Sequence, residues 1–151
     1  MTKVSTFWVI LALLIPSCTS GYKYLAPNQR AYWNSQPCLS LGKKDLQYHA
    51  FMAILYSVHV NKWAFSRIDS ADFSIEAKIG KANYAPEMII TVDKGGLVMI
   101  SRKSFAELSK DEMRLTKRWM ADLEKTFNRH RCESIESLEK QIKRFGIKRG
   151  G

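Results

Sequence analysis

The stretch EMIITVDKGGLVMISRKS, residues 87–104, predicts two strands joined by a tight turn. Apolar residues, several of them β-branched, dominate both halves, and such residues favour strands. Between the halves lies Lys94-Gly95-Gly96, and glycines adopt the positive φ angles that a short hairpin loop requires. The pattern therefore predicts an antiparallel sheet, and the rest of the fold is predicted outward from this hairpin.

Two further strands are predicted upstream. Residues 73–79 alternate strictly, which is the period of a strand with one buried face. The side chains predicted on that face are Phe73, Ile75, Ala77 and Ile79. A shorter alternation over residues 63–67 predicts the first strand, with IDSAD at 68–72 as the turn and GKANYAP at 80–86 as the next loop. The sheet is predicted to be a four-stranded antiparallel meander.

Helical spacing flanks the strands on both sides. Between Asp45 and Val60, apolar residues recur every three or four positions, as on one face of a helix. They are Leu46, Ala50, Ala53, Ile54 and Val58. Downstream, Ser109 and Glu112 have the spacing of a capping box, which marks a helix start. The stripe that follows, to about His130, consists of Leu115, Trp119, Leu123 and Phe127. The predicted fold class is α+β, with N- and C-terminal helices packed on one face of a small sheet.

Residues 133–151 are predicted to form a basic amphipathic tail helix. Its apolar stripe consists of Ile135, Leu138, Ile142 and Phe145. The basic residues proposed to contact an anionic surface are Lys140, Lys143, Arg144, Lys148 and Arg149. Such a helix lies on an anionic membrane or docks on an acidic partner. The alternative is that its apolar face packs back onto the domain.

The first 17 residues are predicted to be a signal peptide. Lys3 precedes an uncharged apolar run, Val4–Ile15. As a helix this run is about 18 Å long, against about 30 Å of bilayer hydrocarbon. A short basic start and an apolar run of this length are typical of an export signal.

The segment Ile15-Pro16-Ser17-Cys18 resembles the lipobox of bacterial lipoproteins. An aliphatic residue stands three positions before the cysteine and a small residue directly before it. The resemblance implies cleavage before Cys18 and lipid attachment to it. Thr19, in place of an aspartate, implies sorting to the outer membrane, as in Gram-negative lipoproteins. The alternative is cleavage after Ser20, which releases a soluble secreted protein.

The cysteine count predicts a disulfide. If Cys18 is acylated or removed, Cys38 and Cys132 are the two cysteines that remain, and an exported protein meets an oxidising compartment. A domain over residues 38–132, closed by this bond, follows a tether at 18–37, where neither period is evident. The alternative is two free, buried thiols.

Charge indicates the class of partner. The sequence has 24 Lys and Arg against 14 Asp and Glu, a net charge of +10. Without residues 1–17, which contain one lysine, the net charge is +9. Such an excess favours lipid headgroups or acidic envelope partners. Export argues against nucleic acid as a partner.

No catalytic or metal motif is evident. His49 and His59 are ten residues apart on one predicted helix, so they cannot hold one ion locally. Glu76 is a lone acid on an exposed strand face, and a small hydrolase would have to gather it with a histidine and a hydroxyl. No cofactor, metal site or catalytic residue is predicted.

Several segments together resemble a family of small bacterial lipoproteins of unknown function. They are Ala53-Ile54, Asn61-Lys62-Trp63, SIEAKI, MIITVD, VMISRKS and RWMADLEKTF. Trp63 and the Trp119/Leu123 pair match the family pattern, whereas Lys62 stands where the family has glycine and Thr116 where it tends to have tyrosine. The resemblance implies the fold and the envelope compartment only. With no catalytic motif in the sequence, we predict an envelope lipoprotein with a non-catalytic binding, accessory or assembly role at the periplasmic face of a membrane.

Overall fold

A computed structural model of the protein describes residues 45–79, 86–104 and 106–147, together with the backbone of residues 31–33. The predicted signal peptide and lipid site at Cys18, the remainder of the tether, Cys38, Lys148 and Arg149 lie outside the described residues. The described elements, in chain order, are β1 (Ala31–Trp33), α1 (Leu46–Val60), β2 (Ala64–Asp69), β3 (Ser74–Lys78), β4 (Glu87–Val92), β5 (Val98–Arg102), α2 (Lys110–His130) and α3 (Ile135–Arg144).

The sheet confirms the predicted meander and extends it by one strand. Strands β2 to β5 pair antiparallel with their neighbours in sequence, and β1 pairs antiparallel with β5, so the order is β1-β5-β4-β3-β2. Strand β1 lies within the segment predicted to be a tether. Three residues are too few for a strand period to be visible in sequence, and β1 is specified by its pairing with β5, about 67 positions later in register.

The β4–β5 hairpin is confirmed, but its turn differs from the prediction. Gly96 has a φ of +79°, whereas Gly95 does not adopt a positive φ. The Asp93 carboxylate accepts hydrogen bonds from the N–H groups of Gly95, at 2.9 Å, and Leu97, at 2.8 Å. An aspartate that bonds to the backbone two residues on stabilises a turn, so this loop needs only one left-handed glycine.

The two faces of the sheet separate as the alternation predicted, except at Phe73. Ile75, Ala77 and Ile79 are buried. Phe73 ends the preceding turn with a φ of +49°, and its ring lies edge-to-face on Phe51, 5.5 Å between centroids. Its side chain is therefore half-buried beside the core, and not part of the strand alternation.

Helix α1 is the centre of the molecule. Residues 49–58 are buried without exception, although the sequence pattern predicted a single apolar stripe. One side of α1 contacts β3, β4 and β5, and α2 and α3 also pack against α1. A helix that is apolar all round is buried all round, so the fold has the sheet on one side of α1 and the other two helices on its remaining sides.

Helix α2 confirms its predicted bounds but not its predicted stripe. The capping box is present: Glu112 N–H donates to Ser109 Oγ, and Ser109 N–H donates to the Glu112 carboxylate. The buried residues of α2 are Thr116, Met120, Leu123 and Phe127. Leu115 and Trp119 of the predicted stripe are only partly buried, and Trp119 packs against the edge of the core. Within the described ranges, no helix combines the length and apolar character needed to cross a bilayer.

Candidate functional site

Helix α3 is attached to the domain by its apolar face. Leu138 and Ile142 are buried, and α3 contacts α1 along its length. Ser134 caps the helix by accepting a hydrogen bond from Ser137 N–H at 3.2 Å. Of the two alternatives for the tail helix, the structure therefore shows the apolar face packed on the domain, and the surface left for other molecules is the polar face with the C-terminal end.

A partly buried polar network holds the junction between α2 and α3. Glu133 contacts His130 Nδ1 through one carboxylate oxygen at 2.5 Å, and the other oxygen accepts hydrogen bonds from Ser137 Oγ, at 2.9 Å, and Gln141 Nε2. The backbone oxygen of Glu133 lies 2.7 Å from His49 Nε2. Partial burial acts to raise the pKa of Glu133, but the hydrogen bonds from His130, Ser137 and Gln141 outweigh it and lower that pKa.

An exposed apolar spot lies where α1 and α3 end. Phe145, 48% exposed, and Val60, 41% exposed, are the two exposed large hydrophobic residues of the described ranges. The Phe145 ring lies 4.8 Å from the His59 ring and is stacked on Tyr56 at 6.1 Å. Tyr56 and Val60 are four residues apart and share a face of α1, so Val60 and Phe145 belong to one surface.

Three predicted cations lie in the C-terminal half of α3, before Phe145. Lys140, Lys143 and Arg144 are exposed, and their spacing of three and four residues places them on one side of α3. The Arg144 guanidinium carbon lies 6.0 Å from the centre of the Phe145 ring. None of the ion pairs among the described residues includes any of the three. We call Val60, Phe145, Lys140, Lys143 and Arg144 the Phe145 patch.

An open groove of about 670 Å³ adjoins the patch. Its walls are formed by Glu136, Glu139, Lys140, Ile142, Lys143, Gly146 and Ile147. Glu139 accepts a hydrogen bond from Tyr48 Oη at 2.5 Å, which ties the groove wall to α1. The groove wall therefore includes two acidic and two basic side chains, whereas the end of α3 beside Phe145 is basic.

The charge of the chain is distributed unevenly. All 14 acidic residues and 16 of the 24 basic residues lie in the described ranges, so these ranges have a net charge of only +2. The other eight basic residues lie outside the described ranges, including Lys43 and Lys44 before α1 and Lys148 and Arg149 after α3.

The structure does not bring Glu76 to a histidine. Glu76 lies on the outer face of the sheet, 2.5 Å from Lys103 Nζ, which also lies 3.5 Å from Glu87. His49 and His59 lie on α1, and His130 ends α2, on the helical side of the molecule. In the part of the chain that the structure describes, no three or more His, Cys, Asp or Glu residues are grouped to hold a metal ion.

The sequence did not predict that Phe145 would be exposed. The apolar spacing assigned it to the stripe with Leu138 and Ile142, but α3 ends at Arg144 and Phe145 is its cap residue. Gly146 follows with a φ of +64°, so the chain turns away after Phe145. A glycine directly after an apolar residue was the available signal, because glycine commonly ends helices.

Two comparisons with known proteins found no match. No protein-family model matches the chain, and no curated protein matches it. The resemblance to small bacterial lipoproteins therefore stays a prediction from the sequence, as does the disulfide, because Cys38 lies outside the described residues.

Proposed function

We propose that this protein is an envelope lipoprotein with a non-catalytic binding, accessory or assembly role, held at the periplasmic face of a membrane by Cys18. The Phe145 patch is its contact with an anionic surface. The observation that carries the proposal is the exposed Phe145 ring beside the Arg144 guanidinium, on a helix where Lys140 and Lys143 are also exposed. None of the three cations belongs to an ion pair among the described residues. An aromatic side chain enters the interface of a bilayer while neighbouring cations meet its headgroups.

The anchor and the patch have complementary roles in this proposal. Several acyl chains on one cysteine supply firm attachment. The basic patch adds electrostatic attraction, at about 1 kcal/mol for each Lys or Arg near an anionic surface. Lys148 and Arg149, directly after the described part of the chain, extend the same basic end in sequence.

Vesicle binding tests the patch. The chain without residues 1–18 is mixed at low salt with vesicles of phosphatidylethanolamine and phosphatidylglycerol, or of phosphatidylcholine alone, and bound protein is measured by sedimentation. We expect binding to the anionic vesicles, and a loss of about tenfold or more when Lys140, Lys143 and Arg144 are all replaced by Gln.

The matched control replaces Lys110, Arg114 and Arg118 by Gln. These three are exposed on α2, and their removal lowers the net charge by the same amount. If both triple variants lose binding equally, the general charge and not the patch is responsible. Equal binding of the wild-type chain to neutral and anionic vesicles contradicts the anionic-surface proposal.

Intact mass of the protein from its native host tests the anchor. We expect an N-terminal Cys18 that carries diacylglycerol and an amide-linked acyl chain. A lipid-free chain that begins at Gly21 contradicts the anchor, and in that case the protein is a soluble secreted binding or inhibitory factor.

A further inference from the structure

Arg102 is a buried cation at the end of β5. Only 6% of its surface is exposed, and it lies on the inner face of the sheet, paired in register with the fully buried Met88 of β4. Its Nη1 donates a hydrogen bond to the backbone oxygen of Ala106 at 2.9 Å. Its Nε is buried and has no hydrogen-bond partner among the described residues.

No carboxylate side chain of this chain neutralises Arg102. All 14 Asp and Glu residues lie in the described ranges, and none of the ion pairs found there involves Arg102. Glu87, beside Met88 on β4, points to the opposite face of the sheet because successive residues alternate, and it pairs there with Lys103. A buried charge without a counter-ion is costly, so buried cations are normally paired.

The unused part of the guanidinium has a defined shape. Nη1 is engaged with Ala106, and no hydrogen bond among the described residues uses Nη2, which leaves the edge formed by Nε and Nη2. Nε is buried, whereas Nη2 has some exposure to solvent. This edge of the guanidinium therefore runs from the surface into the interior. Two parallel N–H groups of this kind match two oxygens of a carboxylate or phosphate.

We propose that Arg102 is the binding residue of an oxyanion site, in which two oxygens of a phosphate or carboxylate ligand lie against its Nε–Nη2 edge at the end of β5. This site and the Phe145 patch share no residue: Arg102 is on β5, whereas the patch is formed by residues of α1 and α3 and by the cap residue Phe145. The ligand supplies the negative charge that the sequence lacks at this position.

Thermal unfolding of the chain without residues 1–18, followed by circular dichroism, tests the proposal. Sodium phosphate and sodium acetate are each titrated against sodium chloride at matched ionic strength. A ligand that binds only the folded state raises its stability with concentration. We expect the midpoint to rise in phosphate, in acetate or in both, with the logarithm of concentration above the dissociation constant of a single site, and not in chloride. The anion that raises the midpoint shows whether the site binds phosphate or carboxylate.

Variants assign the effect to the guanidinium. Arg102→Met should abolish the anion-dependent rise, and Arg102→Lys should weaken the apparent affinity by about tenfold, because an ammonium keeps the charge but loses the fork. Arg67→Met is the matched control: Arg67 is an exposed arginine of β2 paired with Asp69, and its loss should leave the rise unchanged.

Two results overturn the proposal. One is an equal midpoint in phosphate, acetate and chloride for the wild-type chain. The other is an anion-dependent rise that persists in Arg102→Met. If that variant does not fold, nitrogen-15 NMR of the arginine Nε–H groups replaces it: a saturable shift of the Arg102 signal with phosphate or acetate supports the site, and an unchanged signal overturns it.

Discussion

Lys62 is held in a conformation that suits glycine. Its φ is +59°, and it is the first residue past the cap of α1. Lys62 N–H donates to His59 O at 2.9 Å, and Trp63 N–H donates to Val58 O at 3.2 Å. This pair of bonds is the Schellman motif, in which glycine is usual. Helix α3 ends with the same pair of bonds around Gly146, whose φ is +64°.

Exchanging residues at these two positions should shift stability in opposite directions. Lys62→Gly should raise the free energy of unfolding by about 0.5–1 kcal/mol, because relief of left-handed strain exceeds the added entropy of the unfolded chain. Gly146→Ala should lower it by about 1 kcal/mol through conformation alone, since an added Cβ meets no atom within 4 Å. Urea unfolding measures both. Changes of the same sign would contradict this account.

Glu133 makes stability depend on pH. Its folded pKa lies below the ordinary value of 4.5, because the hydrogen bonds from His130, Ser137 and Gln141 outweigh the effect of burial. As the pH falls below 4.5, the unfolded chain takes up this proton before the folded chain does. The stabilisation is therefore complete above that pH and is lost as the pH falls through the folded pKa.

Glu133→Gln should lower the free energy of unfolding by about 1–3 kcal/mol at pH 7, because it removes hydrogen bonds to a charged group. The difference from wild type should shrink as the pH approaches 3. Urea unfolding from pH 3 to pH 7 measures it. Glu136→Gln, which removes an exposed acid one turn later, is the matched control. A constant difference at all pH values would exclude the carboxylate as the cause.

At the scale of the element, the sequence predicted where α2 begins and ends but not all of its buried side chains. Its start follows from Ser109 and Glu112, which bond to each other over three residues whatever the rest of the chain does. Its buried face runs through Met120, Leu123 and Phe127 and includes the polar Thr116. Thr116 is accommodated there because its hydroxyl donates to Glu112 O at 2.7 Å, a bond that apolar spacing does not reveal.

Two leucines of α2 should therefore differ in their contribution to stability. Leu123 is fully buried, and Leu123→Ala should lower the free energy of unfolding by about 2–5 kcal/mol. Leu115→Ala removes the same atoms from a partly exposed position and should cost less than half as much. Chemical denaturation of both variants makes the comparison. Equal losses of stability would contradict this difference in burial and would support the stripe predicted from the sequence.

At the scale of the whole molecule, the predicted Cys38–Cys132 disulfide would join the segment before α1 to the turn between α2 and α3. It would close a loop of about 94 residues, which the chain-entropy model values at about 4–5 kcal/mol. Intact mass should rise by about two daltons on reduction, and unfolding should become easier by about that free energy. Cys132→Ser should behave like the reduced chain. A mass unchanged by reductant contradicts the bond.

The sequence by itself determined the elements whose causes are local. The β4–β5 hairpin, the alternation of Ile75, Ala77 and Ile79, the bounds of α2 and the α+β class all depend on residues within a few positions of one another. The predicted signal peptide and lipobox are local patterns of the same kind. Neighbouring residues limit backbone angles and hydrogen bonding directly, so such features can be predicted without knowledge of the tertiary structure.

Only the tertiary structure decided which surfaces are buried and which remain open. It surrounds α1 on all sides, adds β1 to the sheet, exposes Phe145 beside Arg144, and buries Arg102 without a carboxylate. Each of these outcomes depends on elements that are far apart in the chain and meet only on folding. Burial and ion pairing depend on which elements pack together, so they cannot be predicted from residue spacing along one helix or strand.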